Sequence, residues 1–438
     1  MATTTAQPST NAPVPGSLFN VPLANASPTQ YYDAVDDTDE LVVSMPTQSE
    51  APVNGIQPLN QTDVVLDVEV EIAVTQSYTA GTGQTLTASP WAPFNAVRNI
   101  TMPSQNVYSS VELSNGMYVA YFSALRPLRH TAQRLNLFAN PAGYDLATGT
   151  AYGYVNPAGV QSPLQVSGQW SPSVGSYNLL LRVPIGVWFD EYWPLNPLGL
   201  PVATDANGSQ SIVGPVSTFV APLYMASANK VVQPHFSFAA PFGTADVSPV
   251  YTTTNSASGD TPSTFSGSAS ITVRRFAVRG SPAALPPPHA WQYQLKESSQ
   301  TIGSTTKFAY SHDPQDGQIL SSTLVLFDPA ANGGIGAPIP PGSVKELTFV
   351  YGSGVIAFKG SPQVLQRRFL EKHGFLPPPG FYPLDWAIDE RGRVTNRVSA
   401  AQFDTYNTTG IGWRVQLNSA PSASTTATLL TECLRLVQ

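Results

Sequence analysis

The sequence is poor in charge: Asp, Glu, Lys and Arg make up 11% of its 438 residues, against roughly 25% in an average soluble domain. Its polar surface must therefore come mainly from Ser, Thr, Asn and Gln. Like charges on packed copies of a chain repel each other, and burying an unpaired charge in an interface is costly. The shortage of charge therefore favours a protein that packs against other protein molecules. It makes a role in assembly a better hypothesis than a role in catalysis.

Cysteine is scarce as well, since Cys433 is the only one. This excludes an intrachain disulfide and a zinc site built on cysteines, and the neighbouring Leu434 and Leu436 predict a buried thiol. The N-terminal residues lack the basic and apolar regions of a secretory signal, and no run of about 18 apolar residues occurs that would span a bilayer. The sequence therefore predicts assembly in a cytosol-like space.

Basic residues are outnumbered by acidic ones, and the net charge of the chain is −7. The chain as a whole is a poor electrostatic partner for nucleic acid or anionic lipid, and no sequence-specific binding of nucleic acid is predicted. Two local basic groups could still contact phosphate, one at 274–279 and one formed by Arg367, Arg368 and Lys372. A structural or subunit-pairing role is favoured, and Lys372 and His373 would also complement the dipole at the C-terminus of their helix.

The 41 Pro and 33 Gly argue for many turns and few long helices, whereas 42% hydrophobic and 10% aromatic residues supply packed cores. The clearest pattern runs from Asp63 to Thr75, where apolar residues alternate with polar ones and predict a half-buried antiparallel strand. Further strands are predicted at 107–111, 177–184, 216–224, 231–239, 269–279, 321–328, 345–351, 411–417 and 428–437. Many short strands between turn residues predict a β-dominated protein of sandwich type.

Two helices are predicted among these strands. The first would begin at a capping box and continue with apolar residues four apart, namely Ser109 and Glu112, then Met117, Tyr121 and Leu125. The second would have a serine N-cap, a proline at its first position and one apolar face, namely Ser361, Pro362, Leu365 and Phe369, before it stops at Gly374. Each half of the chain would thus hold one inserted helix.

The division into domains follows composition. Residues 1–55 have no periodicity and are interpreted as an extended N-terminal arm, 56–280 as a first sandwich, the Pro-rich 281–290 as a linker and 291–438 as a second sandwich. The arm contains a cluster of acids that could chelate a hard cation. No glycine-centred calcium loop surrounds it, so a solvated acidic turn is predicted for Asp36, Asp37, Asp39 and Glu40.

Motifs for catalysis or cofactor binding are missing: the chain has no Gly-x-Ser-x-Gly, His-Glu-x-x-His, Walker A or Cys-x-x-Cys motif. The five histidines have no ligand spacing, and the glycines at 333–336 are interpreted as a turn. Residues 312–317, which begin with His312 and end with Asp316 and Gly317, are also interpreted as a turn. No catalytic residue, cofactor or metal site is predicted.

One segment, residues 188–193, combines acids with aromatic rings. Asp190 and Glu191 lie there among aromatic side chains, as they would in a glycan-processing cleft. Adjacent strand residues point to opposite faces, however, and aromatic residues with polar groups are common at subunit interfaces. The favoured interpretation is an assembly contact through Trp188, Phe189 and Trp193, and the alternative is a glycan- or receptor-binding or carbohydrate-active β-sandwich protein such as a viral spike.

The C-terminal part of the chain resembles a known family. The basic helix at 361–373 leads into Gly380-Phe-Tyr-Pro-Leu-Asp-Trp386, then into a turn at 389–393 and closing strands that end at Val437. This order and spacing resemble the second jelly roll of tectivirus-like major capsid proteins, which belong to the adenovirus-type capsid lineage.

The first half resembles the first jelly roll of the same family. The resemblance lies in the strand at 63–75, the segment Trp91-Ala-Pro-Phe-Asn-Ala-Val-Arg98, the Asn99-Ile-Thr-Met102 that follows it, and the helix near 110–125. It covers residues 55–438, and its weight lies in the order of strand, turn and helix patterns together with the two-domain length.

The resemblance implies a double jelly roll, that is, two eight-stranded antiparallel β-sandwiches side by side with short inserted helices. It implies a homotrimer of nearly hexagonal outline that tiles the facets of an icosahedral virion, as in a bacteriophage, and that has no enzymatic activity. Neighbouring trimers, penton and minor capsid proteins and an internal membrane around double-stranded DNA would be its partners, after assembly in the host cytoplasm. Residues 1–55 lack a basic amphipathic helix, so a membrane contact by the arm does not follow.

Overall fold

The computed structural model describes the following residues: 33–45, 50–52, 64–79, 85–88, 91, 94–102, 109–122, 165–169, 174–184, 187–188, 202–204, 210–212, 219–220, 223–224, 235–238, 251–254, 264–278, 291–314, 316–331, 336–352, 354–373, 376–386 and 410–436. Strands dominate this part of the chain, and the helices in it are few and short. The prediction of a β-dominated fold with inserted helices is confirmed.

The strands fall on both sides of the predicted linker. Strands β1 to β16 are Asp33–Met45, Glu50–Pro52, Val64–Thr79, Thr85–Ala88, Val97–Met102, Ser109–Leu113, Gln165–Gln169, Val174–Pro184, Val187–Trp188, Val202–Thr204, Gln210–Ile212, Phe219–Val220, Leu223–Tyr224, His235–Phe238, Tyr251–Thr254 and Thr264–Val278. Strands β17 to β25 are Trp291–Thr301, Lys307–Ser311, Gln318–Asp328, Ala337–Pro338, Val344–Tyr351, Val355–Gly360, Phe381–Asp385, Gly412–Leu417 and Thr426–Leu436. The helices are α1, residues 116–122, and α2, Pro362–His373.

One sheet of the first half has the order β1-β16-β3-β8-β7, and β13 also pairs with β3. Its centre is β3, which pairs antiparallel with β16 and β8 along most of its length. Ile72 and Val74 are buried, whereas Thr75 is exposed. The alternating strand predicted between Asp63 and Thr75 is therefore confirmed, and it is antiparallel as expected.

The acidic cluster predicted as a turn lies in a strand instead. Strand β1 pairs antiparallel with β16, which places Asp36 opposite Arg274, and the pairing is irregular between Asp37 and Leu41. Asp36 and Asp37 pair with β16 before the irregularity, and acidic residues are compatible with a strand at the edge of a sheet. The turn prediction is wrong because composition alone does not reveal a pairing partner more than two hundred residues away.

A second sheet contains strands from both halves of the chain. Its order is β2-β14-β5-β6-β17-β25-β19-β20, and β23 also pairs with β19. The two halves meet where β6 runs parallel to β17, with Val111 opposite Leu295. All the other pairings in this sheet are antiparallel. The halves therefore share backbone hydrogen bonds, which the sequence patterns did not indicate.

The sheet β18-β24-β21-β22 packs against this shared sheet and completes a sandwich in the second half. The strands predicted near 321–328, 345–351, 411–417 and 428–437 are confirmed as β19, β21, β24 and β25. Alternate residues of these strands enclose one apolar core that includes Ile319, Leu324, Leu326, Leu347, Phe349, Trp413, Val415, Leu417 and Leu429. Cys433 is buried, as predicted.

The two helices differ in how well their starts were predicted. The expected capping box is wrong, because Ser109–Leu113 is strand β6 and α1 begins only after Asn115, whose Oδ1 accepts a hydrogen bond from the Met117 N–H over 2.8 Å. The start of α2 is confirmed, with the Ser361 carbonyl accepting the first helical hydrogen bonds. No helix in the described part of the chain is long and apolar enough to cross a bilayer.

Candidate functional site

A chain of buried polar side chains lies in the second half, between its two sheets. His312 Nδ1 is 3.2 Å from Asp316 Oδ2, and His312 Nε2 is 2.9 Å from Ser322 Oγ. Trp413 Nε1 donates a hydrogen bond to the same Ser322 oxygen over 2.9 Å. Lys296 Nζ forms a salt bridge with Asp316 Oδ1. These five residues are called the His312 cluster below.

The turn after β18 supplies the histidine and the aspartate. The His312 N–H donates to the Ile411 carbonyl over 2.8 Å, and the Asp316 N–H donates to the Asp313 carbonyl over 3.0 Å. Gly317 follows with a φ of 73°, a conformation that suits glycine. The turn predicted for residues 312–317 is confirmed. The sequence did not indicate that its histidine and aspartate point into the sandwich.

Strand register places the other members. Lys296 on β17 lies opposite Thr431 on β25, and Thr431 lies opposite Ser322 on β19, so the three share one face of the shared sheet. Thr431 Oγ1 is 3.3 Å from His312 Nδ1. The cluster therefore connects three strands of one sheet, the turn after β18 and, through Trp413 on β24, the facing sheet.

Electrostatics fix the protonation states of the cluster. Burial by itself would raise the pKa of Asp316, but the hydrogen bond to His312 and the charge of Lys296 hold that pKa below its ordinary value. Burial works against the Lys296 charge too, yet Asp316 raises the pKa of Lys296 overall. Burial lowers the pKa of His312, and the hydrogen bond to Asp316 offsets this only in part. The cluster is thus an ionised Asp–Lys pair with a neutral imidazole.

These protonation states set the direction of the hydrogen bonds. A neutral His312 that donates from Nδ1 to the ionised Asp316 must accept at Nε2, so the Ser322 hydroxyl donates to Nε2. Trp413 then donates to the Ser322 oxygen. The hydrogens on His312 Nδ1, Ser322 Oγ and Trp413 Nε1 thus each have an acceptor.

The order Asp316, His312, Ser322 has the connectivity of a serine hydrolase triad. Ser322 has no exposed surface, however, and its oxygen already accepts from the Trp413 indole. The hydrogen bonds of Ser322 connect the turn after β18 with the facing sheet through Trp413. In the part of the chain that the structure describes, no three His, Cys, Asp or Glu side chains are grouped to hold a metal ion.

The free energy of unfolding will fall as the pH drops below about 6.5, the ordinary histidine pKa. Unfolded His312 gains a proton in that range and folded His312 does not, because its pKa is lowered, so acid favours the unfolded state. One such group contributes at most about 1.4 kcal/mol per pH unit. His312→Gln will reduce the fall in stability between about pH 7 and about pH 5, measured by urea denaturation.

This pH window separates the histidine from its partner. The pKa of Asp316 is lowered in the folded state. Its contribution to stability is therefore lost only as the pH falls below 3.8, the pKa of the carboxyl in the unfolded state. The wild type and the variant differ only at position 312, so the difference between the two slopes isolates the contribution of His312. Equal slopes for both proteins would contradict the assignment of a neutral, buried imidazole.

An aromatic cluster joins the first half to the second. Trp91 stacks on Phe327 with ring centroids 4.5 Å apart, and it meets the edge of Phe381 at 5.7 Å. Tyr121 of α1 lies 5.3 Å from Phe381, and its hydroxyl is 3.1 Å from Thr323 Oγ1. The Trp91 indole also donates to the Pro379 carbonyl over 3.3 Å. The segments at 91–98 and 380–386, which both carry the family resemblance, therefore pack against each other.

The basic residues predicted as assembly contacts lie on α2. Arg367 is exposed, and its Nε donates to Glu371 Oε1 over 2.8 Å, one turn along the helix. Arg368 is exposed too, with its guanidinium carbon 5.4 Å from the centroid of the Phe358 ring. Both cations have partners within the chain. Lys372 belongs to the same helix, and its side chain lies outside the described residues.

The aromatic candidates lie mostly outside the described residues. Trp188 ends β9, opposite Phe219 of β12, and nothing further is described of its side chain. Phe189 and Trp193 lie outside the described residues, as do Asp190 and Glu191. The role of this segment as an assembly contact therefore stays a prediction.

Comparison with known proteins found similarity in structure only. No model of a protein family matches the sequence, and no curated protein matches it. A chain of Sulfolobus Turreted Icosahedral Virus is similar over 92% of this chain and 91% of its own, with 14% identity and a TM-score of 0.49.

Two further solved structures are major capsid proteins. P2 from bacteriophage PM2 is similar over 91% of this chain and 98% of its own, with 9% identity and a TM-score of 0.36. The mavirus major capsid protein is similar over 100% of this chain and 93% of its own, with 10% identity and a TM-score of 0.35. The likeness concerns the course of the chain alone.

Proposed function

We propose that this protein is a structural subunit of a virus shell, a major capsid protein that acts by self-assembly. The observation that carries the proposal is the joining of the two halves by one mixed sheet and by the aromatic cluster around Trp91 and Phe381. Neighbouring subunits exert mechanical load on a subunit of a shell. A buried aromatic contact, together with hydrogen bonds between strands of the two halves, resists relative movement of the halves. The low charge of the chain suits the contacts between subunits.

The finer features follow the family resemblance. The subunit would form a homotrimer of pseudo-hexagonal outline, and trimers would tile the facets of an icosahedral shell around an internal membrane and a double-stranded DNA genome. Neighbouring trimers, penton proteins and minor capsid proteins would be its partners, and assembly would take place in the host cytoplasm. The proposed domains are an arm at 1–55, jelly rolls at 56–280 and 291–438, and a linker at 281–290.

The proposed contacts between subunits lie in two regions. The aromatic segment would contribute Trp188, Phe189 and Trp193, and the basic helix would contribute Arg367, Arg368 and Lys372. Contacts that are individually weak would allow correction while a shell grows, because many small interfaces add up to a stable particle.

Light scattering after size exclusion will show a species of about 140 kDa, three times the chain mass of 46.6 kDa. Electron microscopy of concentrated material should then show hexagonal capsomers or shells. A protein that stays monomeric at every concentration would contradict the capsid proposal. Such a monomer, if it also bound glycans and lost that binding on Asp190→Ala or Trp193→Ala, would support the alternative of a glycan-binding sandwich.

A further inference from the structure

Strand β18 is held in the second sandwich mainly by polar groups. Among the described strands it pairs with β24 alone, at the edge of the sheet, and none of its residues is fully buried. Phe308 and Tyr310 are half-buried against the core. From Gly303 to Asp316, the only buried side chains that the structure describes are those of His312 and Asp316. Strand β18 and the turn after it, as far as Asp316, are together called the β18 segment.

A segment held in this way can open without the rest of the sandwich. Its opening breaks the ladder with β24 and the hydrogen bond from the His312 N–H to the Ile411 carbonyl. The apolar core enclosed by β19, β21, β24 and β25 stays in place. Segments with few buried apolar contacts open at a lower free energy than the whole protein. The His312 cluster is therefore the main buried attachment of the β18 segment.

The closed cluster has no place for a second proton on His312. The neutral ring donates from Nδ1 to Asp316 and accepts the Ser322 hydroxyl at Nε2. A proton on Nε2 would turn this acceptor into a donor. The Ser322 oxygen would then receive two N–H groups, one from His312 and one from Trp413, and the hydroxyl hydrogen would lose its acceptor. Protonation therefore breaks a buried hydrogen bond.

The charged groups beside His312 do not compensate for a second proton. Its own turn contributes Asp316 and Asp313, but the Asp316 carboxylate is already paired with the Lys296 ammonium from β17. Strand β25 contributes Cys433, which lies near Lys296. An imidazolium would therefore stand next to an ion pair that is already neutral overall, and it would add a buried positive charge.

The remaining elements around the imidazole contribute no compensating charge. Strands β19, β21 and β24 contribute the Ser322 hydroxyl, the Phe349 ring and an indole, none of which titrates near neutral pH. The buried carboxylates Glu432 and Asp385 lie opposite Ser321 in the strand register. Because adjacent strand residues point to opposite faces, both carboxylates lie on the other face of the shared sheet.

The closed and the open segment therefore bind protons differently. Burial lowers the pKa of His312 in the closed segment, whereas an imidazole in water has its ordinary pKa of about 6.5. The closed form is fully favoured above about pH 6.5 and loses stability as the pH falls below that value. Each pH unit shifts the equilibrium toward the open form by up to about tenfold, until the lowered pKa of the closed form is reached.

We infer that the His312 cluster is a pH-sensitive switch: protonation of His312 releases the β18 segment from the shared sheet and from β24, while the rest of the second sandwich stays folded. The inference does not depend on the proposed function. It goes beyond a general loss of stability in acid, because it assigns the opening to one segment.

Hydrogen exchange of the folded, full-length chain at pH 7 and pH 5 tests this inference. After correction for the intrinsic exchange rate at each pH, the protection of the amides of β18, His312 and Asp313 will fall about tenfold from pH 7 to pH 5. Addition of about 1 M urea will leave this protection unchanged, because a local opening exposes little surface.

Two matched controls accompany the measurement. Strand β22 lies at the other edge of the same sheet, pairs with β21 alone among the described strands and contains no histidine. Its protection will be the same at both pH values. In His312→Gln the side chain carries no charge at either pH, so the protection of the β18 segment will no longer depend on pH.

Three results would overturn the inference. The first is equal protection of the β18 segment at both pH values in the wild type, and the second is an equal fall in β22. The third is a fall shared with β19 and β25 and with the same dependence on urea, because the segment would then open only when the whole protein unfolds. All three are measured on the wild type, so they remain informative if His312→Gln fails to fold.

Discussion

Replacing Asp316 with asparagine will lower the free energy of unfolding by about 3 kcal/mol, the lower end of the cost of breaking a buried ion pair. The carboxylate is almost fully buried and receives the Lys296 ammonium on one oxygen. Its other oxygen is within hydrogen-bond distance of His312 Nδ1 and of the Asp313 N–H. An amide of the same shape cannot neutralise Lys296 and leaves that charge in a half-buried position.

The cost is placed at the lower end because the Lys296 side chain is 29% exposed and retains some contact with water. Chemical denaturation of wild type and variant at neutral pH, with both far-ultraviolet circular dichroism and tryptophan fluorescence, measures the difference. Trp413 is in the cluster, so its fluorescence will also change if the hydrogen bond to Ser322 is lost.

Glu371→Gln is the matched control for Asp316→Asn. It removes a carboxylate from an exposed ion pair with Arg367, and such pairs one turn apart on a helix contribute at most about 0.5 kcal/mol. A loss as small as this for Asp316→Asn would show that the His312 cluster does not hold the second sandwich together.

The His312 cluster also shows where sequence reasoning stops. The turn at 312–317 was predictable, because its acids and glycine are local signals. Its partners are not local: Ser322 and Trp413 are separated by 91 residues in the chain and meet only through strand pairing and sheet packing. A histidine among turn residues gives no sign of whether it faces water or a core, so the sequence led to a turn without a function.

The helices show the same division between local and distant information. Helix α2 was predicted well because its signals are local: an N-cap precedes it, a proline begins it, and two apolar residues four apart lie on one of its faces. The segment that begins at Ser109 is compatible with two structures. Ser109 and Glu112 can form the capping box of a helix, and the same residues can also lie in a strand. The strand prevails because β6 gains hydrogen bonds from β5 on one side and from β17 on the other, and the pattern of this segment does not contain that information.

Replacing Trp91 with alanine will lower the free energy of unfolding by about 3 to 5 kcal/mol, the usual cost of removing a large buried aromatic ring. Trp91 is 3% exposed and stacks on Phe327, and its loss leaves a cavity between the halves of the chain. The Pro379 carbonyl also loses its hydrogen bond from the indole. Because the cavity lies between the halves, denaturation monitored by fluorescence and by circular dichroism will no longer give coincident transitions.

Phe349→Ala is the control that separates coupling from general stability. Phe349 is fully buried in the core of the second sandwich, where it packs against Trp413 and Trp386. Its removal will cost a similar free energy, yet it leaves the contact between the halves intact and the two transitions coincident. Coincident transitions in Trp91→Ala would mean that the shared sheet alone couples the halves, whereas separated transitions would identify the aromatic cluster as the element that couples their unfolding.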